Sequence, residues 1–254
     1  MKFDDVDARM RVFETAHDDR VLPGIYLVAR LDGRRFTRLT REIYPFEVPF
    51  DSRFRDLMLD TAAHLLAEFS ARYAYTQSDE ISLLFPLNGT LFNRKLRKLN
   101  SVLAGQASAC FSLGLGKIAA FDCRICELPH TADVIDYFRW RSEDAHRNAL
   151  NAHSYWALRK AGLSGEAAAV ALRNRTVAEK NELLFQHGIN FNDLPNWQKR
   201  GAGVYWEHHD KTGCNPITGE SVVTQRRRLY RDLDLPMKDA YSVFITRLLV
   251  EEAT

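Results

Sequence analysis

The spacing of hydrophobic positions changes several times along this chain, and each change marks an element. Residues Asp4–Thr15 read as a short N-terminal helix, after which Pro23 and Gly24 interrupt the chain. Ile25–Leu31, apolar at every position but Arg30, is a run of strand length. Phe54, Leu57, Met58, Ala62, Leu65, Leu66 and Phe69 recur at helical spacing, so a helix is predicted to start at the N-cap residue Asp51. A hairpin follows, with Tyr73–Tyr75 leading into Gln77–Glu80 and Ile81–Phe85 leaving it. Leu96, Leu99, Leu103, Ala107, Cys110 and Phe111 then predict a helix over Phe92–Leu113, ended by Gly114 and Gly116. Alternation through Phe121, Cys123 and Ile125 predicts a strand within Ile118–Leu128.

This order is β, α, β, β, α, β, the split arrangement of ferredoxin-like domains, in which the central strands are neighbours. The expected fold class is α+β, with a helical and β-hairpin layer following the core. Val134, Ile135, Phe138, Ala145, Ala149, Ala152 and Trp156 mark a helix face reaching Gly162. Thr176 and Glu179 form a capping box for the next helix. Two late strands are expected at Val204–His208 and Val222–Tyr230, with Asp210–Gly213 as turn residues. The division expected is residues 1–130 as a catalytic core and residues 131–254 as an accessory region. No internal repeat interrupts it.

Composition narrows the class. With 254 residues, 46% hydrophobic and 27% charged, the chain can bury a substantial core. No apolar run approaches the roughly 18 residues of a membrane span, and the first residues carry acids. A cytoplasmic protein without a membrane partner is expected. Cys110, Cys123, Cys126 and Cys214 read as thiols; Cys123 and Cys126 lack the second pair that a zinc site requires. The net charge of +2 does not by itself announce a nucleic-acid binder. The basic residues are clustered, however, at Arg34–Arg41, Arg94–Lys98 and Arg226–Arg228.

The chemistry is proposed by two acidic motifs, RLDGRRF at Arg30–Phe36 and QSDE at Gln77–Glu80. Asp32 and Asp79 stand where neighbouring strands end. Two such carboxylates can hold two divalent cations about 3.5–4 Å apart, the clamp used in phosphoryl transfer. Spacing alone leaves open that both are turn or capping residues. Alternation along the strand turns Glu80 away from the pair, as a supporting residue.

Together with PFEVPFDSR, FNRKLRKLNS, FDCR, DYFRWRSEDAHRNA, AEKNELLF and GINFNDLPNWQKRG, these motifs resemble the tRNA-His guanylyltransferase family in content and order. The resemblance implies a polymerase-palm core and 3′-to-5′ nucleotide addition to the 5′ end of tRNA. It implies two Mg²⁺ ions held by Asp32, the Gly33 carbonyl and Asp79, with Asp32 and Asp79 catalytic. Nucleotide contacts would fall on Asp32, Gly33, Arg34, Arg35, Phe36, Thr37, Asp51, Ser78 and Asp79. Arg94, Lys95 and Lys98 would hold the triphosphate of an incoming GTP or ATP. Asn190, Asn192, Lys199, Arg200, Arg226, Arg227 and Arg228 are the candidates for RNA contact, in an expected homotetramer.

The chain departs from that pattern in places. It has HRNALNA at His146–Ala152 where guanylyltransferases adding G to tRNA-His carry an HINNLYN-type stretch. This resembles the guanylyltransferase-like branch, whose members repair truncated tRNA 5′ ends by templated addition. Val48 replaces a family lysine, and Thr37 stands where His is frequent. The competing expectations are non-templated guanylyl transfer, a palm-type nucleotidyl cyclase and a noncatalytic tRNA-binding protein.

Overall fold

The computed structural model describes residues 2–214 and 221–250. The helices in chain order are α1 (Phe3–Thr15), α2 (Phe36–Arg38), α3 (Ser52–Glu68), α4 (Leu96–Leu115), α5 (Thr131–Lys160), α6 (Gly165–Leu172), α7 (Val177–Gln186), α8 (Asn196–Arg200) and α9 (Lys238–Val250). The strands are β1 (Tyr26–Gly33), β2 (Tyr73–Gln77), β3 (Glu80–Leu84), β4 (Phe121–Leu128), β5 (Ala202–Cys214) and β6 (Ser221–Asp232). They form one antiparallel sheet in the order β4-β1-β3-β2-β5-β6. The fold is thus mixed helix and antiparallel sheet, with β1 beside β3 as the sequence predicts.

Period-two alternation gives the sheet two apolar faces, and both are covered. Leu27, Ala29 and Leu31 of β1 join Ala74, Ile81 and Leu83 under α3 and α4, which contribute Met58, Leu65, Leu66, Leu103 and Phe111. Val28, Tyr73, Tyr75 and Leu84 point the other way, against Val134 and Phe138 of α5 and Tyr241, Phe244 and Ile245 of α9. A third cluster joins the second half of α5 to α6 and α7 through Ala149, Leu150, Leu158, Ala168, Leu183 and Leu184. The C-terminal half is therefore part of the core: β5 pairs with β2, Tyr73 opposite Tyr205, and extends the same sheet.

Four boundaries differ from expectation. β1 runs on through Asp32 and Gly33, which pair with Asp122 and Phe121 of β4. α4 begins at Leu96 rather than Phe92, because Phe92, Asn93 and Arg94 form a turn with φ of 51°, 52° and 57°. β4 begins at Phe121, leaving Ile118 exposed. Asp210–Gly213 is not a turn: it lies within β5, paired to Val222–Gln225, and the connection to β6 lies outside the described residues.

Candidate active site

The β2–β3 hairpin turns through only Ser78 and Asp79, with Gln77 opposite Glu80. Ser78 takes a φ of 52°, the left-handed conformation that a two-residue hairpin needs. Ser78 Oγ donates to Asp79 Oδ1 at 3.1 Å. The Gly33 N–H donates to the Asp79 carbonyl at 2.9 Å, which stitches the end of β1 to the turn and brings the two acidic motifs together. A Cβ on Gly33 would lie 2.5 Å from the Phe36 ring, so the packing beneath the strand end excludes a side chain there.

Asp79 and Asp32 repel one another in this arrangement. Burial pushes the Asp79 carboxyl up and the Asp32 charge adds to this, while a hydrogen bond from its own backbone N–H and one from Ser78 pull it down. Among the described residues neither carboxylate has an Arg or Lys in salt-bridge contact, and no group of three His, Cys, Asp or Glu is placed to hold a metal. A pair of half-buried hard oxygen donors of like charge fits Mg²⁺, which takes one or two carboxylates and completes its shell with water and phosphate oxygens.

Glu80 departs from expectation. It pairs directly with Asp32 across the sheet, and so shares that residue's face, the face covered by α5. Arg141 of α5 grips it with two hydrogen bonds of 2.7 and 2.8 Å.

A cleft opens beside the hairpin. Its wall is built from Phe36, Thr37, Thr40 and Arg41, the Phe46–Asp51 loop, and Thr76–Asp79. Trp156 of α5 and Trp197 of α8 close it, with Arg41 lying 5.6 Å over the first ring and Arg55 lying 4.7 Å over the second. These two tryptophans and two arginines are absent from the residues predicted to bind nucleotide. They come from four separate segments; Arg41 falls in the first basic cluster and Trp197 in GINFNDLPNWQKRG, but nothing local places either beside the hairpin. Arg34 and Arg35 are exposed at the end of β1.

Asp51 lines the cleft, but its oxygens are engaged. It caps α3 by accepting from the Arg53 N–H at 2.8 Å, accepts from the Glu47 N–H at 2.7 Å, and pairs with the Arg53 guanidinium. The Arg53 hydrogen bonds are the main cause that brings its pKa down to about 2, against the opposing effect of burial. Asp51→Ala is expected to destabilise the chain by about 1–2 kcal/mol in urea unfolding at neutral pH, the usual cost of losing a helix N-cap. A lowered folded-state pKa means that this contribution is complete above the ordinary value of 3.8 and is lost as pH falls through about 2. The two proteins should converge below that point.

The family model for tRNAHis guanylyltransferase matches residues 7–129, and that for the Thg1 C terminal domain matches residues 132–236. The chain is 35% identical over 201 residues to the tRNA(His) guanylyltransferase of Neurospora crassa, covering 74% of this chain and 68% of that one. It belongs to the tRNA(His) guanylyltransferase family. It is therefore an enzyme of the nucleotidyltransferase class. A probable tRNA(His) guanylyltransferase of Drosophila melanogaster is 35% identical over 196 residues, covering 73% of this chain and 68% of that one. Among solved structures, a bacterial tRNA(His) guanylyltransferase-like protein in complex with GTP matches with a TM-score of 0.76 and 26% identity, covering 97% of this chain and 99% of that one. The Saccharomyces cerevisiae enzyme matches with a TM-score of 0.73 and 30% identity, over 80% and 93% of the two chains.

Within this family fold, two predicted clusters stand elsewhere than expected. Arg94 is buried, and all of its guanidinium donors end on carbonyls: those of Val21, Leu22, Ile25, Leu87 and Gly89. Lys95 pairs with Asp18, and Lys98 is exposed. Ile25 precedes β1 and Asp32 lies near its end, so seven residues of extended chain put Arg94 roughly 20 Å or more from the carboxylates. Arg94 cannot hold a triphosphate bound at Asp32 and Asp79 of the same chain. It clasps loops.

Lys199 and Arg200 also turn inward. Lys199 Nζ donates to the Asn192 carbonyl at 2.6 Å, and Arg200 is 6% exposed and pairs with Glu143 at 2.9 Å. Neither presents its charge to RNA. Asn190 caps the short turn Phe191–Asp193 and donates to Asp193, while Asn192 is exposed. Arg226, Arg227 and Arg228 remain on the exposed β5–β6 ribbon, where Arg227 lies 4.3 Å over Trp206 and Arg228 pairs with Glu207.

His153 is buried against Phe50 and Phe191, and burial brings its pKa down to about 4. All four cysteines are free, and burial holds the Cys123 thiol up at about 12.

Proposed function

We propose that this enzyme adds nucleotides in the 3′-to-5′ direction to the 5′ end of tRNA, copying the opposite strand. The carrying observation is the pair Asp32 and Asp79, their segments joined through the Gly33 N–H, without salt-bridge partners among the described residues, with Asp79 in the wall of an aromatic cleft. Such a site performs phosphoryl transfer by positioning and charge stabilisation. Two Mg²⁺ ions bound to Asp32, the Gly33 carbonyl and Asp79 would supply acidification of the attacking hydroxyl and neutralisation of the leaving phosphate. The cleft lined by Thr37, Ser78, Trp156 and Trp197 would take a nucleotide, in keeping with neighbours solved with GTP and with ATP. The 5′ end is activated by a triphosphate or by adenylylation. The 3′-hydroxyl of the incoming nucleotide then bonds to the 5′ phosphorus as pyrophosphate or AMP departs.

Templating is supported by the residues at the position of the G-adding motif. His146 packs on Phe191 at 5.3 Å, and Asn148 donates to Asp144, so both are engaged within the fold. Recognition of the tRNA body would then rest on backbone and shape, with Arg226–Arg228 as contacts. The exposed apolar residues Phe3, Met10, Val12 and Phe13 of α1 support self-association, consistent with the homotetramer implied by resemblance.

The test is nucleotide addition to tRNA transcripts lacking the first 5′ residue, with Mg²⁺ and all four NTPs, varying the opposing base. Product that follows the opposing base is the expected result. Addition of G whatever the opposing base would establish non-templated guanylyl transfer instead.

A further inference from the structure

Glu80 stands next to Asp79 in the chain and opposite Asp32 in the sheet, yet both of its oxygens are occupied. Arg141 donates from Nε to Oε1 at 2.7 Å and from Nη2 to Oε2 at 2.8 Å. Arg30 Nη2 lies 2.5 Å from the same Oε2. Glu80 and Arg141 are each 6% exposed, and Arg141 also reaches Asp144 at 3.3 Å. Two guanidinium groups thus converge on the one carboxylate of three that stands outside the proposed cation site.

The alternative partner is close at hand. Arg30 and Asp32 are two apart on one strand and share a face, so the guanidinium has Asp32 within its reach. Burial works against the Arg30 charge and Glu80 chiefly sustains it, with Asp32 a smaller contributor. Freed from Glu80, Arg30 would find its next favourable position at Asp32, because an unpaired charge in a partly buried site is costly, whereas Arg141 would keep Asp144. There it would compete directly with a divalent cation.

We propose that Glu80 is a positioning residue rather than a metal ligand: backed by Arg141, it holds Arg30 away from Asp32, leaving that carboxylate and Asp79 free for cations. The inference rests on the reading that Asp32 and Asp79 bind the metal. Through the same contacts Arg141 ties the hairpin to α5, and the Tyr75 hydroxyl, donating to the Arg200 carbonyl at 2.8 Å, braces the preceding strand.

The test is Mn²⁺ binding to the full chain, read from the loss of the free-ion paramagnetic resonance signal. Glu80→Gln is expected to weaken binding by about tenfold or more, in the range set by orienting residues around metal sites. The triple variant Glu80→Gln, Arg30→Gln, Arg141→Gln leaves no guanidinium to release, and should bind within about threefold of wild type, since nothing then competes at the carboxylates. Unchanged binding in Glu80→Gln overturns the proposal. So does a triple variant as weak as Glu80→Gln, which would make Glu80 a ligand. The triple variant decides alone if Glu80→Gln cannot be purified folded. Asp79→Asn is the control: loss of binding there with a wild-type Glu80→Gln rejects the positioning role only, whereas wild-type binding in Asp79→Asn removes the metal reading and the proposal with it.

Discussion

Asp79→Asn is expected to lower nucleotide addition by about a thousandfold or more, some 4 kcal/mol of barrier, without weakening the fold. Burial and the Asp32 charge both oppose the ionised form of Asp79, so its carboxylate destabilises the metal-free chain near neutral pH. The sign follows from the raised pKa. This destabilisation is absent below the ordinary carboxylate value of 3.8 and complete once pH has risen past the higher folded-state value. In chelator at pH 7 the variant should therefore melt no lower than wild type, and the difference should close in acid. A noncatalytic tRNA-binding protein would show no loss of function on this substitution. Retained addition in a folded Asp79→Asn protein would sink the assignment of this carboxylate to the reaction.

Arg94→Met should do the reverse. Five carbonyl oxygens from the segments around Val21, Ile25 and Leu87 lose their shared charged donor. Hydrogen bonds to charged groups contribute about 1.5–3 kcal/mol each, and buried acceptors left bare add to the loss. A destabilisation of upwards of about 3 kcal/mol is expected from urea unfolding, with partial relaxation of the loops toward water limiting it. Folded protein at low temperature should keep its KM for NTP, because Arg94 stands at the opposite end of β1 from Asp32. A selective rise in that KM at unchanged stability would return Arg94 to the role that its position before a helix suggests.

The contrast between these two residues shows what the sequence can and cannot carry. Asp32 and Asp79 are legible because each ends a short apolar run of clear period, and strand order then follows from the β, α, β, β, α, β succession. Their juxtaposition needs only neighbouring strands. Arg94 presents the same signal as a phosphate-binding cation, a basic residue before a helix. Three successive left-handed residues, Phe92, Asn93 and Arg94, turn it inward instead, and nothing in FNRK announces them. Lys199 and Arg200 fail similarly, since burial depends on Glu143 and Asn192 arriving from elsewhere. Within β5 and β6 most residues beyond Glu207 face solvent on both sides of a two-stranded ribbon, so no alternation marks how far the strands run. The reverse holds for α9: Tyr241, Phe244, Ile245 and Leu248 carry a plain helical signal, one outside the expected elements.

The six-stranded sheet bears on how this protein can be divided. Two family models meet between residues 129 and 132, which suggests a chain made of separable parts. The contacts say otherwise. A cut at that boundary would strip α5 and α9 from the sheet, leaving Val28, Tyr73, Tyr75 and Leu84 facing water and Glu80 with Arg141 gone. The β2 edge, released from β5, would present open backbone hydrogen-bonding groups to any passing chain. An N-terminal fragment holding both acidic motifs would have the letters of the reaction centre and an aggregation-prone surface in place of its support.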